Sequence, residues 1–485
     1  MDLRVTLQTM IQRALANTRR QTDRLGVLQE QAVTGKKIEA PSDDPPAYVQ
    51  LLGLRTSLGQ LSGHLGNVQV AEQTLEAQVA SLRQVSDILS KARQLGQEAL
   101  HGSNDKASLQ AIAMEIETLL ERMADQANQK HLDRFLFSGA SVQTMPFEVI
   151  KDDHGRIIGA KYHGSTQEAD VPVGLLSNIT TLISGDEIFE SKERQKTFYT
   201  GRTGAKAGTG TDSGTGLGRL SVRHVATTYA LGSGVQPGAS SAAKDSIIGP
   251  LGAHNLRIID DSGTGAFGRV SLNGGGEIAF TNADVDLKVV GPNGEVVYVD
   301  MSAIVPGFNG TVAIQSDGEM SIDDGATWSP IAFVQDQILA DSRNGAVTHV
   351  DSREIRRVGV DEIEYIGAFD AFEALVALRD DVLNKRELSA GENAQALSRR
   401  MAELERIHNH VLQLVGEQSA RLATLDGLKK QYEDKKLLLE KAAAEVEGAD
   451  LVELAIKLQE QQTLLASALA ATARVLQVSL LDFLR

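Results

Sequence analysis

The chain has 485 residues, 64 acidic against 48 basic side chains for a net charge of −16, 42% hydrophobic residues and no cysteine. That acidity argues against nonspecific binding to nucleic acid, which needs clustered Lys and Arg, and disfavours docking on anionic lipid. The missing cysteine excludes disulfides, thiolate catalysis and Cys-ligated zinc, and no apolar run reaches the ~18 residues of a membrane span. The opening residues 1–21 also lack the unbroken apolar core of a conventional signal peptide, so any export is expected to use another route.

The first predicted element is a helix with its stripe at Leu7, Ile11, Leu15, Thr18, Thr22, Leu25, Leu28 and Ala32, spaced three and four as one helical face requires. Gly35 stops it. The segment Pro41-Ser42-Asp43-Asp44-Pro45-Pro46 breaks the chain and offers a cap and a first-turn proline to a second helix. That helix carries a heptad at Leu61, Leu65, Val68, Glu72, Leu75, Val79, Leu82, Ser86 and Leu89. A turn at Gly102-Ser103-Asn104-Asp105 and a third helix through Leu109, Ile112, Ile116, Leu119 and Met123 follow.

Composition then changes, because residues 141–365 hold 31 of the 45 glycines and 7 of the 10 prolines. Asn-Gly pairs beginning at Asn273, Asn293, Asn309 and Asn344 predict hairpin turns, with Val289-Val290 and Val296-Val297-Tyr298-Val299 as strands between them. The glycine-rich stretch 201–218 reads as a flexible linker. Helical sequence returns near Ile366. A stripe at Leu397, Met401, Leu404, His408, Val411, Val415, Gln418, Leu422 and Leu425 opens on a capping box at Ser389 and Glu392. Continuous over 391–447, that helix would be roughly 85 Å long at 1.5 Å per residue. After Gly448, Asp450 and Glu453 cap a last helix with its stripe at Leu454, Leu458, Leu465, Leu469, Leu476 and Leu480.

The expected class is therefore α+β: terminal helices packed together as a coiled-coil-like rod, with a β-rich outward-facing insertion in the middle. The expected parts are an assembly helix 1–45 with 448–485, a rod of 46–140 with 366–447, a first β unit 141–200, a linker 201–218 and an inserted β domain with its return strand, 219–365. The rod stripes are assigned to packing inside the subunit. The terminal stripes, Leu7, Ile11, Leu15, Leu25 and Leu28 with Leu454, Leu458, Leu465, Leu469, Leu476 and Leu480, are assigned mainly to neighbouring subunits.

Thr34-Gly35-Lys36-Lys37-Ile38 followed by Pro41-Ser42-Asp43-Asp44-Pro45 resembles the segment after the first helix of the flagellin superfamily. Phe135-Leu136-Phe137-Ser138-Gly139 with Pro146-Phe147, Tyr162-His163-Gly164 and Gly185-Asp186-Glu187-Ile188-Phe189 are similar to its hook–filament junction branch. So is the end, from Glu447-Gly448-Ala449-Asp450 through Gln459-Glu460-Gln461-Gln462 to Ser479-Leu480-Leu481-Asp482-Phe483-Leu484. The resemblance covers about 1–200 and 355–485, and leaves 201–345 as an extra insertion. It implies a structural subunit at the hook–filament junction of the bacterial flagellum, exported without a cleaved signal peptide through the type III apparatus. The implied partners are the first hook-associated junction protein, flagellin, other copies of itself in a ring, and a cytoplasmic export chaperone on the C-terminal region.

No residue set supports an enzyme, and no cofactor or metal is expected. Gly35-Lys36 lacks the phosphate-loop frame, and Asp43-Asp44 reads as helix capping. His408 and His410 are two apart and cannot share a helical face. Asp260-Asp261-Ser262-Gly263 and Asp323-Asp324-Gly325 do not match a calcium loop. The alternatives are a flagellin filament subunit, or a coiled-coil adhesin or signalling protein with a β-rich head.

Overall fold

The computed structural model describes residues 2–101, 105–174, 176–189 and 193–483, with side chains over 9–474 of these. The turn expected at Gly102-Ser103-Asn104 lies outside the described residues, as do the side chains of Leu7, Leu476 and Leu480. Eight helices occur among the described residues: α1 Asp2–Thr34, α2 Pro45–Leu100, α3 Lys106–Ala127, α4 Gly185–Phe189, α5 Ser241–Lys244, α6 Ala371–Val382, α7 Ala390–Glu447 and α8 Leu451–Phe483. The chain divides into two compact units, 1–73 with 170–179 and 420–485, and 74–169 with 180–419. Helices α2 and α7 contribute to both.

The heptads of the rod are realised as expected. On α2, Leu61, Val68, Leu75, Leu82 and Leu89 are buried, and on α7 so are Leu397, Leu404, Val411, Gln418 and Leu425, each set repeating every seven residues. The sequence begins and ends α7 by the means expected. The Ser389 amide donates to Glu392 Oε2 at 3.0 Å and the Glu392 amide to Ser389 Oγ at 3.4 Å, a reciprocal cap. In the first unit Lys429 of α7 reaches Glu72 of α2 at 2.7 Å. The hairpin tip between strands Ala169–Pro172 and Asn178–Leu182 is tied to both helices there. Asn67 Nδ2 donates to Pro172 O at 2.8 Å and Tyr432 Oη to Val173 O at 2.7 Å.

The second unit has a helical core and two β cores. The helical core joins Leu82, Leu89, Ile116, Leu120, Leu375, Leu378 and Leu404 on α2, α3, α6 and α7 to Phe147 and Ile157 of the hairpin Phe147–Lys151/Ile157–Tyr162. The β insert is built on an antiparallel sheet. Its strand order is Ile278–Thr281, Phe267–Leu272, Gly249–Asp260, Asn309–Ser321, Leu217–Tyr229, Gly359–Glu364 and Phe198–Thr200, with Ser329–Pro330 beside Asn309–Ser321. Period-two burial of Val312, Ile314, Ser316, Gly318 and Met320 explains the central strand. Two three-stranded sheets complete it: Gln236–Pro237, Val296–Asp300 and Leu287–Val290; and Gln337–Ala340, Val347–Asp351 and Lys206–Ala207.

Two expectations about the middle are corrected. Residues 201–218 are a packed strap, not a flexible linker. The Gly208 amide donates to His349 O and Ser213 to Val347 O, both at 2.8 Å, while buried Thr203 is held by Asp361. Gly204 has φ +94°, and a side chain there would stand 2.0 Å from Glu354 O, so its glycines serve close approach rather than mobility. The insert therefore runs from Phe198 to Glu364. The turns at Asn273, Asn293 and Asn344 form, with positive φ at Gly274, Gly294 and Gly345, but Asn309-Gly310 opens a strand. The reversal lies just before it, where the Phe308 amide donates to Val305 O at 3.0 Å.

A buried charge network links the return strand to α6 and α7. Glu364, fully buried, lies 2.7 Å from Arg400 and 2.6 Å from Arg399, while Arg400 lies 3.3 Å from Asp381. Arg386 pairs with Asp381 and Glu362. Burial pushes the carboxyls of Asp381 and Glu362 up. It also opposes ionisation of Glu364, but Arg399, Arg400 and Arg386 together hold that carboxyl below its usual range.

Candidate assembly surface

Helices α1 and α8 pair antiparallel within the first unit. Between Ile11 and Leu28 the half-buried positions of α1 are Ile11, Ala14, Thr18, Gln21, Leu25 and Leu28, and those turned inward on α8 are Leu454, Leu458, Gln461, Leu465, Ala468 and Thr472. Both series alternate three and four. Thr18 Oγ1 lies 3.2 Å from Thr472 Oγ1, Gln461 Nε2 donates to Gln21 O at 3.1 Å, and the two Gln side chains also bond each other. The described seam is apolar at Leu25, Leu28, Leu454 and Leu458 and polar where Gln21 meets Gln461 and Thr18 meets Thr472.

The expected interface residues divide accordingly. Ile11, Leu25, Leu28, Leu454, Leu458 and Leu465 are half-buried or buried in the isolated chain, on the faces by which α1 and α8 pack together. Leu15 and Leu469 stay more than half exposed, at 54% and 52%. Met10, Val27, Val33, Val452, Ile456 and Leu464 are exposed on the same two helices and were missed, because attention to the strongest apolar residues favoured Leu15 over Ala14 and Leu469 over Ala468. The register signal was present: only the series through Ala14 and Gln21 keeps a strict three-four alternation.

The motif between α1 and α2 is a clasp. Gly35 has φ +69° and its amide donates to Gln31 O at 2.9 Å, a left-handed stop to the helix, and Thr34 Oγ1 donates to Glu30 O at 3.0 Å. Beyond it the chain meets the end of α7, where the Lys37 amide donates to Glu447 O at 2.7 Å and the Ala449 amide to Gly35 O at 2.9 Å. Lys36 and Arg55 reach the Glu447 carboxylate at 2.6 and 3.0 Å, and hold it below its usual range. Exposed Pro41 and Ser42 carry the turn. The Asp43 carboxylate accepts from the Ala40 and Glu39 amides, which lower its pKa, and Asp44 accepts from the Ala47 amide at 3.2 Å, with Pro45 in the first turn of α2. Both aspartates are structural caps.

The motif segments between 135 and 189 converge in the second unit. Phe137, Phe147, Tyr162, Phe189 and Phe372 form one aromatic cluster with ring centroids 5.1 to 6.0 Å apart. Tyr162 Oη donates to Ser165 O at 2.9 Å and accepts from the Gly185 amide at 3.2 Å, and burial pushes its pKa up to about 12. His408 and His410 point to different partners, Ser86 O at 3.1 Å and Glu187 O at 2.7 Å. Asp260 and Asp323 bind their own loops: Asp260 accepts from the Gly265 and Gly307 amides, and Asp323 from Thr327 and Ser342. Among the described residues no cluster of three His, Asp or Glu side chains is placed to hold a metal ion, and no helix is long and apolar enough to cross a membrane.

Residues 5–141 match the bacterial flagellin N-terminal helical region. Flagellar hook-associated protein 3 of Escherichia coli (strain K12) is 28% identical over 196 residues, 39% of this chain and 57% of that protein. The Salmonella typhimurium protein of the same name is 25% identical over 193 residues, with the same shares of each chain. The alignments thus span just over half of those relatives' length. Among solved structures, flagellar hook associated protein-3 from Legionella pneumophila is 16% identical, with 81% of this chain and 98% of that one covered and a TM-score of 0.42. The likeness to flagellin thus lies in the N-terminal helical region, residues 5–141.

Proposed function

We propose that this chain is a hook-associated protein 3, the subunit that joins the hook side of the bacterial flagellum to its filament. The observation that carries this reading is the flagellin helical match over 5–141 in a chain whose curated relatives bear that name. The mechanism is coupled assembly. The α1–α8 pair has a polar seam and a second, solvent-facing set of large apolar side chains. Such a set is stabilised only when other subunits cover it. Its neighbours in this reading are further copies of the chain in a ring, the first hook-associated junction protein on one side and flagellin on the other. Before export the exposed leucines of α8 suit capture by a cytoplasmic chaperone, and the subunit acts outside the cell.

Immunogold electron microscopy of intact flagella, with antibody against the insert, tests the reading. A single focus of gold where hook meets filament is expected. Label along the whole filament would make the chain a flagellin instead, and absence of label from flagella would overturn both.

A further inference from the structure

Four arginines of the β insert are neutralised in place. Arg223 pairs with Glu319, Arg269 with Asp261 and Glu277, Arg343 with Asp341 and Asp324, and Arg353 with Asp351. Arg202, Arg219, Arg257, Arg356 and Arg357 differ: among the described residues none has a carboxylate within ion-pair distance. In a chain of net charge −16, five unpaired guanidinium groups in one region call for an explanation, since surface cations normally sit among counter-charges.

They line two clefts. The first, of ≈ 880 Å³, holds Arg257, Arg356 and Arg357, and the second, of ≈ 680 Å³, holds Arg202, Arg219 and again Arg357. Because Arg357 borders both, the clefts form one track. Lys244 adds a further cation to the second.

The floor of the first cleft is fixed. Asn273 Nδ2 lies 2.9 Å from both His254 Nδ1 and Glu295 Oε1, while Asn273 Oδ1 accepts from the Asn255 amide at 3.0 Å. His254 Nε2 sits 3.0 Å from two carbonyls, Ile248 O and Arg356 O, so it carries the proton and Nδ1 accepts. Each cleft arginine is aimed by a neutral oxygen. Arg257 donates to Asn309 Oδ1 at 2.7 Å, Arg357 to Asn293 O at 3.0 Å, and Arg356 to Arg353 O at 2.8 Å. A guanidinium has five N–H donors, so these contacts orient each group and leave donors free for an anion. The acidic groups nearby are mostly occupied: Glu295 by Asn273, Glu362 by Arg386 and Glu392 by Ser389. Among the described residues, Glu387 alone adds an unengaged carboxylate to the second cleft.

We propose that this track binds an acidic polysaccharide, its uronate or sulfate groups on the arginines and its hydroxyls on the Asn, Ser and Thr side chains of the first cleft. Among the described residues neither cleft is lined by Phe, Tyr or Trp on which bases could stack, so single-stranded nucleic acid is the poorer fit. The inference does not depend on the junction reading, since the cleft arginines it rests on all belong to the insert.

The test is calorimetric titration of the full chain with hexagalacturonate, a heparin-derived hexasaccharide, neutral maltohexaose and oligo(dT). Binding of at least one acidic hexasaccharide is expected, weakening as salt rises, with no binding of maltohexaose. The preferred one identifies the anion as carboxylate or sulfate. Arg257→Gln and Arg357→Gln are expected to weaken binding at least tenfold each, and Arg269→Gln, whose guanidinium is already paired elsewhere, to leave it unchanged. Circular dichroism of each variant verifies folding. Failure of both acidic sugars to bind overturns the proposal, as does equal loss with Arg269→Gln or tighter binding of oligo(dT).

Discussion

Gly35 shows how one backbone angle sets a boundary. At φ +69° an L side chain is strained, yet a Cβ added there would meet no atom within 4 Å, so the only penalty is conformational. Gly35→Ala should therefore destabilise the α1 terminus by about 1–2 kcal/mol. Gly26 is the opposite case. It lies inside α1, with ordinary helical φ and open space beside it, so Gly26→Ala should stabilise the same helix by about 0.5–1 kcal/mol. Amide exchange across α1 in the full chain reads both. Equal effects of the two changes would mean that the positive φ has no energetic role. The capping residues were equally legible in sequence, because a cap depends only on neighbours a few residues away: Asp44, Ser389 and Asp450 all accept from nearby backbone amides as expected.

Between elements, legibility followed how strongly a stripe was apolar. The rod heptads were read correctly since Leu and Val occupy most of their inward positions. The seam of α1 with α8 does not coincide with the expected terminal stripes, since Leu15, Thr22 and Leu469 face solvent. Its true inward set includes Gln21, Gln461, Thr18 and Thr472, which hydropathy does not mark. The strap at 201–218 failed for a related reason: glycine content alone does not distinguish a mobile linker from a segment that packs backbone to backbone. Polar seam residues fix register at a cost in stability. Replacing Gln21 and Gln461 together by Leu should stabilise the α1–α8 pair by about 1–2 kcal/mol, seen as slower exchange of both helices. It should also slow incorporation if the pair must loosen to enter an assembly. Faster exchange in the double variant would show that the Gln–Gln contact, and not apolar burial, holds the seam.

At the scale of the whole molecule, the proposed function requires the two sets of apolar residues on α1 and α8 to separate folding from assembly. Leu454 is buried at the seam, whereas Leu469 is half exposed on the same helix. An aspartate at Leu454 buries a charge without a partner and should open the pair in the isolated chain. An aspartate at Leu469 enters water in the monomer and meets that cost only where a neighbouring subunit covers it. Leu469→Asp should therefore leave the circular dichroism and amide exchange of the purified chain unchanged and yet abolish incorporation into flagella, seen as loss of the junction focus in electron microscopy. Leu454→Asp should damage both. If Leu469→Asp subunits incorporate normally, the outward face of α8 is not an assembly surface, and the exposed leucines there need another explanation.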